Sequence, residues 1–220
     1  MSQNASLPPH VALSRRTLLA GAALGLAAAP LRQAAAAPET EMTVTEALRQ
    51  RRSTRRFSDQ PVEPALVAEL LWAAFGVNRP ETGLHTAPSW HGAADSMIHV
   101  ASADGVSVYE PERDTTRQRH PGDIRQSLSP QPFVATAPIC LLHISDLRRL
   151  SAAEDESQRP LYAQIDAAIV AQNVYLFAAS RGLGTCLVGG MDRPGITAAL
   201  GLEAHEYVAF VQPVGWPAQG

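Results

Sequence analysis

At 220 residues the chain is long enough for one domain with a sizeable core. A net charge of −3 argues against a globally basic nucleic-acid binder. All 18 basic residues are arginine, and the absence of lysine excludes both a lysine Schiff base and a P-loop lysine.

The N-terminus reads as a targeting segment. Ser14, Arg15 and Arg16, then one residue, then Leu18 and Leu19 resemble a twin-arginine export signal. An ordinary secretory signal is the alternative. The uncharged run from Thr17 to Ala29 is too short to span a bilayer, and Ala34 to Ala37 fits an A-x-A cleavage site. The expected organisation is an export signal over 1–36, a disordered lead-in over 37–42 and one domain over 43–220. The mature chain would keep no stable membrane anchor. It would leave through the twin-arginine export machinery and be periplasmic or otherwise exported. That route carries folded proteins, often with a cofactor already loaded.

Thr43 and Glu46 fit a capping box, and Val44, Ala47, Leu48 and Arg51 recur at helical spacing, so the first helix starts near Thr43 and ends before Ser53. A second helix runs from Pro64 to Phe75, with proline at its first position and Gly76 past its end. Residues 77–92 read as loop. Residues 97–101 and 106–110 flank Ala-Asp-Gly as a hairpin. Residues 111–132 are polar and punctuated by proline, with one short helix near Ile124 to Leu128. An apolar strand covers 138–145. The longest helix, from Arg159 to Arg181, is apolar nearly all round, which fits a core or a subunit contact. Gly182 and Gly184 end it. A short buried run over 185–190, a helix from Pro194 to Leu200 and a strand over 207–215 follow. This order is α+β rather than a βαβ repeat.

Two cysteines, Cys140 and Cys186, exclude a cysteine-rich metal site. They read as two buried thiols, with a disulfide as the alternative in an oxidising compartment. The histidines show no metal-ligand spacing.

Three stretches can carry chemistry. In RRSTRRF, Arg51, Arg52 and Arg55 surround Ser53 at a helix C-terminus, and guanidinium forks suit a phosphate dianion. A solvated charged helix face is the alternative; a nucleic-acid patch is disfavoured by the acidic remainder. In residues 79–95, Pro88, Ser89, Trp90 and His91 offer a hydroxyl, an indole and an imidazole, although a capped loop entering a helix explains them equally well. In residues 182–190, Gly189 and Gly190 follow a buried run and permit close approach of a flat group to the backbone.

In this order and at these separations, RRSTRRF, GVNRPE with TAPS, the run DAAIVAQNVYLFAASRGLGTCLVGG and the terminal VGWP resemble the FMN-dependent nitroreductase family, most closely its thiazole- and oxazole-forming dehydrogenases. The resemblance implies an α+β nitroreductase-like sandwich. A central, mainly antiparallel sheet would be flanked by helices, with the long helix at the core of a homodimer. FMN would sit between subunits. Arg51, Arg52, Ser53 and Arg55 would hold its phosphate. Pro88 and Ser89 would lie beside the ring of the partner's flavin. Leu187, Val188, Gly189 and Gly190 would line the ring, with the Gly190 amide near N5. Family members commonly carry asparagine where this chain has Gly92, and many continue further beyond the last strand. Azole-forming members often use a lysine that this chain lacks.

The implied activity is hydride transfer through the flavin between an unidentified donor and a small organic acceptor. His91 is the candidate proton donor, and Trp90 and His91 are candidate substrate contacts. His85 and Asp95 are lesser candidates. A flavin-binding protein without catalysis is the alternative.

Overall fold

The computed structural model describes residues 42–219. The export signal and all but the last residue of the lead-in lie outside the described residues. α1 (Val44–Gln50) starts at the capping box: the Thr43 side chain accepts from the Glu46 N–H while Glu46 reaches back to the Thr43 N–H. α2 (Pro64–Phe75) begins with proline and buries Leu70, Leu71, Ala74 and Phe75. β1 (Val77–Arg79) and β2 (Leu84–His85) form a small antiparallel pair within the stretch read as loop.

β3 (Ser96–Ser102) and β4 (Gly105–Glu110) make the expected hairpin, and β5 (Thr115–His120) extends it as a third strand. β5 was not legible in the sequence because Thr-Thr-Arg-Gln-Arg-His has no apolar alternation. Its residues lie almost wholly in solvent, and it is held by backbone pairing to β4, by the Arg117–Glu110 ion pair and by Arg119 donating to the Leu200 and Gly201 carbonyls. A 3₁₀ turn at Arg125–Ser127 and the short α3 (Pro132–Thr136) lead into β6 (Ile139–Asp146), buried along its full length. α4 (Arg159–Ser180), β7 (Gly184–Thr185), α5 (Arg193–Leu200) and β8 (Glu206–Gly215) complete the chain. α5 stops where Gly201 enters the left-handed region at φ 56°.

The main sheet has the order β5-β4-β3-β6-β8-β7, with every neighbouring pair antiparallel. Successive residues of β6 alternate between two cores. Ile139 and Leu141 join Leu70, Phe75, Val170 and Val174 under α2 and α4. Cys140, Leu142 and Ile144 join Leu128, Val134 and Ile196 on the opposite face. The result is an α+β sandwich with helices on both sides of one sheet, as expected.

α4 is covered on one side only within the chain. Leu161 and Ile165 are 55 % and 46 % exposed, while Ala163, Ala167, Val170 and Val174 are buried. Cys140 and Cys186 are separate free thiols, both buried, and burial pushes the Cys140 thiol up to about 12.

Candidate functional site

The arginine stretch leaves α1 at Arg51 and runs beside the end of the sheet. Ser53 forms a parallel bridge with Thr185, and the Thr54 N–H donates to the Thr185 carbonyl at 2.8 Å. This pairing joins two stretches separated in sequence by well over half the chain, so the cluster and the glycine-bearing run share one wall.

Tyr175 completes the junction from the second half of α4. Its hydroxyl lies 3.3 Å from Ser53 Oγ and accepts from the Leu187 N–H at 2.8 Å. The Arg51 guanidinium sits over the same ring, 5.2 Å from its centre. Arg52 turns away: its Nη1 donates to the carbonyls of Arg49 and Arg51, closing the C-terminus of α1. Arg55 is exposed. Among the described residues, none of Arg51, Arg52 and Arg55 is ion-paired, whereas Arg113, Arg117, Arg125, Arg148, Arg159 and Arg181 each meet an acid. A cavity of about 170 Å³ opens beside them, lined by Arg52, Thr54, Tyr175, Leu183 and Thr185.

Val188 exchanges both backbone hydrogen bonds with Val211, and Leu187 gives its N–H to Tyr175. Gly189 and Gly190 then emerge into solvent. Among the described residues neither glycine N–H donates to an acceptor, and the Gly190 carbonyl accepts from Ser129 Oγ at 2.5 Å. A Cβ at Gly189 would meet nothing nearer than Phe210 at 4.0 Å, so the approach to this backbone is open.

The second candidate region lies by the first half of α4. Ser89 Oγ accepts from the Ala94 N–H at 2.8 Å, and the Trp90 N–H donates to Asp166 Oδ2 at 2.8 Å. The Trp90 ring stacks on Tyr162 with centroids 4.1 Å apart. Pro88 and His91 are exposed. His91 and Ala94 occupy the left-handed region, with φ 49° and 47°, as does Gly92 at 69°. Asp166 and Tyr175 stand about two and a half turns, or roughly 14 Å, apart along α4. The helix therefore holds the loop near one end and the arginine cluster near the other.

The nitroreductase family model matches residues 48–216, which include both regions. The chain belongs to the nitroreductase family. It is similar to a candidate nitroreductase of Methanocaldococcus jannaschii, 32 % identical over 186 residues, covering 80 % of this chain and 91 % of the relative. A solved structure of a candidate nitroreductase from Ralstonia eutropha superposes with a TM-score of 0.78 at 31 % identity, covering 84 % of this chain and 88 % of the other. A Staphylococcus epidermidis structure described as a candidate NAD(P)H:FMN oxidoreductase shares the fold at TM-score 0.61 and 16 % identity, covering 82 % and 90 %.

Members of the family are generally flavin-dependent oxidoreductases. In this nitroreductase the groups available to a flavin are arginines without counter-charges among the described residues, the Ser53 hydroxyl and two exposed glycine amides; Tyr175 links Arg51, Ser53 and the Leu187 N–H that precedes those glycines. They fit a phosphorylated flat cofactor. Sequence reasoning missed Tyr175 because an aromatic residue within an apolar helical run reads as core. Its hydroxyl was the available signal, since a half-buried phenol seeks partners.

His85 and Asp95 are both buried. His85 is buried and stacked on Phe75 at 4.1 Å, with Nδ1 at 3.0 Å from the Phe75 carbonyl. Asp95 is fully buried. Trp90 keeps one accessible edge beside a cavity of about 340 Å³ that Tyr162, Glu154 and Gln158 also line.

Proposed function

We propose that this nitroreductase is an exported FMN-dependent oxidoreductase that acts as a homodimer on a small organic molecule. The observation supporting this reading is the junction of Ser53, Tyr175 and Leu187, which ties the arginine stretch to the run leading into Gly189 and Gly190, whose N–H groups have no acceptor among the described residues. Arg51, Ser53 and Arg55 would grip the phosphate. Arg52 would hold the end of α1 and add charge from behind. The Gly190 N–H is the donor available to a ring nitrogen. Bound FMN would supply two-electron redox chemistry, taking hydride from a donor and giving it to an acceptor. His91, exposed on its loop, can supply a proton to an acceptor, and Trp90 can wall the substrate space.

Two exposed apolar surfaces support the dimer. Val44 and Leu48 on α1 are 69 % and 54 % exposed, and α1 packs on α4, which exposes Leu161 and Ile165. Export rests on the Arg15–Arg16 motif and its apolar run. Nicotinamide nucleotides are scarce outside the cytoplasm, so direct oxidation of a substrate, with electrons passed to a quinone, a haem protein or oxygen, suits that compartment. On the RRSTRRF and TAPS motifs we group the chain with the thiazole- and oxazole-forming branch. Without lysine, any proton transfer in its site must use other groups.

The deciding experiment is an absorbance spectrum of the purified mature protein, followed by release and mass analysis of the chromophore. Flavin bands and a mass matching FMN are expected. Protein that stays colourless after incubation with FMN overturns the reading. A flavin that remains oxidised with every donor tried would leave a binding protein without catalysis.

A further inference from the structure

Asp95 and Asp166 lie beneath the Pro88–Ala94 loop and have no place in the chemistry above. Asp95 is fully buried and Asp166 is 2 % exposed. They arrive from different elements, one just before β3 and the other on α4. Ser145 Oγ on β6 donates to Asp95 Oδ2, and the Trp90 N–H donates to Asp166 Oδ2 at 2.8 Å. Asp95 Oδ1 has no partner among the described residues when both acids are ionised.

Among the described residues no cation forms an ion pair with either acid. Arg149 spends its Nη1 on the Ala94 carbonyl, and Arg148 is paired with Asp146. On the β8 side Arg193 lies over the Tyr207 ring, whose hydroxyl accepts from Gln164. Tyr162 donates to Gln158, and His91 points from an exposed loop position. Two bare carboxylates in one buried site repel strongly, whereas one proton between them turns repulsion into a hydrogen bond. Burial, with Asp166 adding to it, raises Asp95 to about 7.

The loop above needs holding. His91 and Ala94 are non-glycine residues in the left-handed region, a conformation that persists only where the surroundings impose it. The Trp90 N–H bond to Asp166 and the Trp90 stack on Tyr162 are what tie it to α4.

We propose that Asp95 and Asp166 share one proton through Asp95 Oδ1, and that this acid pair is the positioning element that clamps the Pro88–Ala94 loop onto α4. The loop's purpose rests on the flavin reading; the clamp does not. With the proton in place, Asp95 donates to Asp166, and Asp166 keeps its other oxygen for Trp90. Loss of the proton sets two anions against each other, drives Asp166 from Asp95 and frees the loop.

Trp90 reports this directly. In a Trp72→Phe, Trp216→Phe background it is the sole tryptophan, and its emission maximum can be followed from pH 5 to 9. One transition near pH 7 is expected, to the red as pH rises. Asp95→Asn, whose amide can donate to Asp166, should abolish the transition and keep the low-pH emission throughout. Asp166→Asn should do likewise, because its amide still offers an acceptor to Trp90. Asp166→Ala should show the released emission at every pH. Emission that is flat across this range in the parent, or a transition that survives in Asp95→Asn, overturns the proposal. Carboxyl carbon NMR on the unaltered chain is independent of variant folding. An aspartate signal titrating near pH 7 supports the clamp; all aspartates titrating below pH 5 refutes it. Neither readout involves flavin, so failure of flavin binding leaves the clamp standing, and failure of the clamp leaves flavin binding standing.

Discussion

Arg51 and Arg55 are the proposed phosphate contacts, whereas Arg52 closes the end of α1, and substitution separates these roles. Arg51→Ala or Arg55→Ala should each weaken FMN binding by about 1.5–3 kcal/mol, the scale of a charge-assisted hydrogen bond. Fluorescence titration measures this, and wild-type affinity in both variants would remove the cluster from the site. Tyr175→Phe deletes a hydroxyl that Ser53 and the Leu187 N–H both use. It should lower stability by about 1–2 kcal/mol and loosen flavin binding, because a buried donor loses its acceptor. A melt and a binding titration read the two effects separately. The arginines and paired glycines stood out in the sequence through charge density and composition. Tyr175 did not, because its role depends on where α4 delivers it. Asp95 misled for a related reason: a carboxylate near a promising loop reads as a ligand group until its burial is known.

At the level of elements, the bridge between residues 53–54 and β7 sets the shape of the site. Gly184 makes that close approach possible: a Cβ there would lie 2.6 Å from the Thr54 side chain. Gly184→Ala should cost about 1–3 kcal/mol by overpacking and weaken flavin binding by separating Ser53 from Thr185. Thermal unfolding and titration test it; an unchanged melting temperature and affinity would mean that the two strands yield freely. Helices with proline starts and glycine ends were legible because those residues act locally. β5 and the β1–β2 pair were not, since exposed strands carry no alternating apolar signal and exist through their neighbours' backbone groups.

For the whole molecule, buried ionisable groups set opposing dependences on pH. Burial lowers His99 and His143 from 6.5 to about 4, so the stability they contribute is present above about 6.5 and is lost as pH falls towards 4. Asp95 is raised from 3.8 to about 7, so its contribution is present below about 4 and is lost as pH rises towards 7. The two slopes oppose each other between pH 4 and 6.5. Asp95→Asn removes one, and its urea midpoint should climb more steeply across that window than the wild type's; parallel profiles would show that Asp95 does not titrate there. The division of labour along α4 has a further consequence. In the proposed homodimer, one rod would carry a grip for the cofactor near one end and a lid for a neighbour's cofactor near the other, so each chain would supply two unlike half-sites. An equimolar mixture of two inactive parents, one lacking Arg51 and Arg55 and the other altered at Pro88 and Ser89, should after subunit exchange recover about a quarter of wild-type turnover, because a two-fold pair always reunites one intact grip with one intact lid.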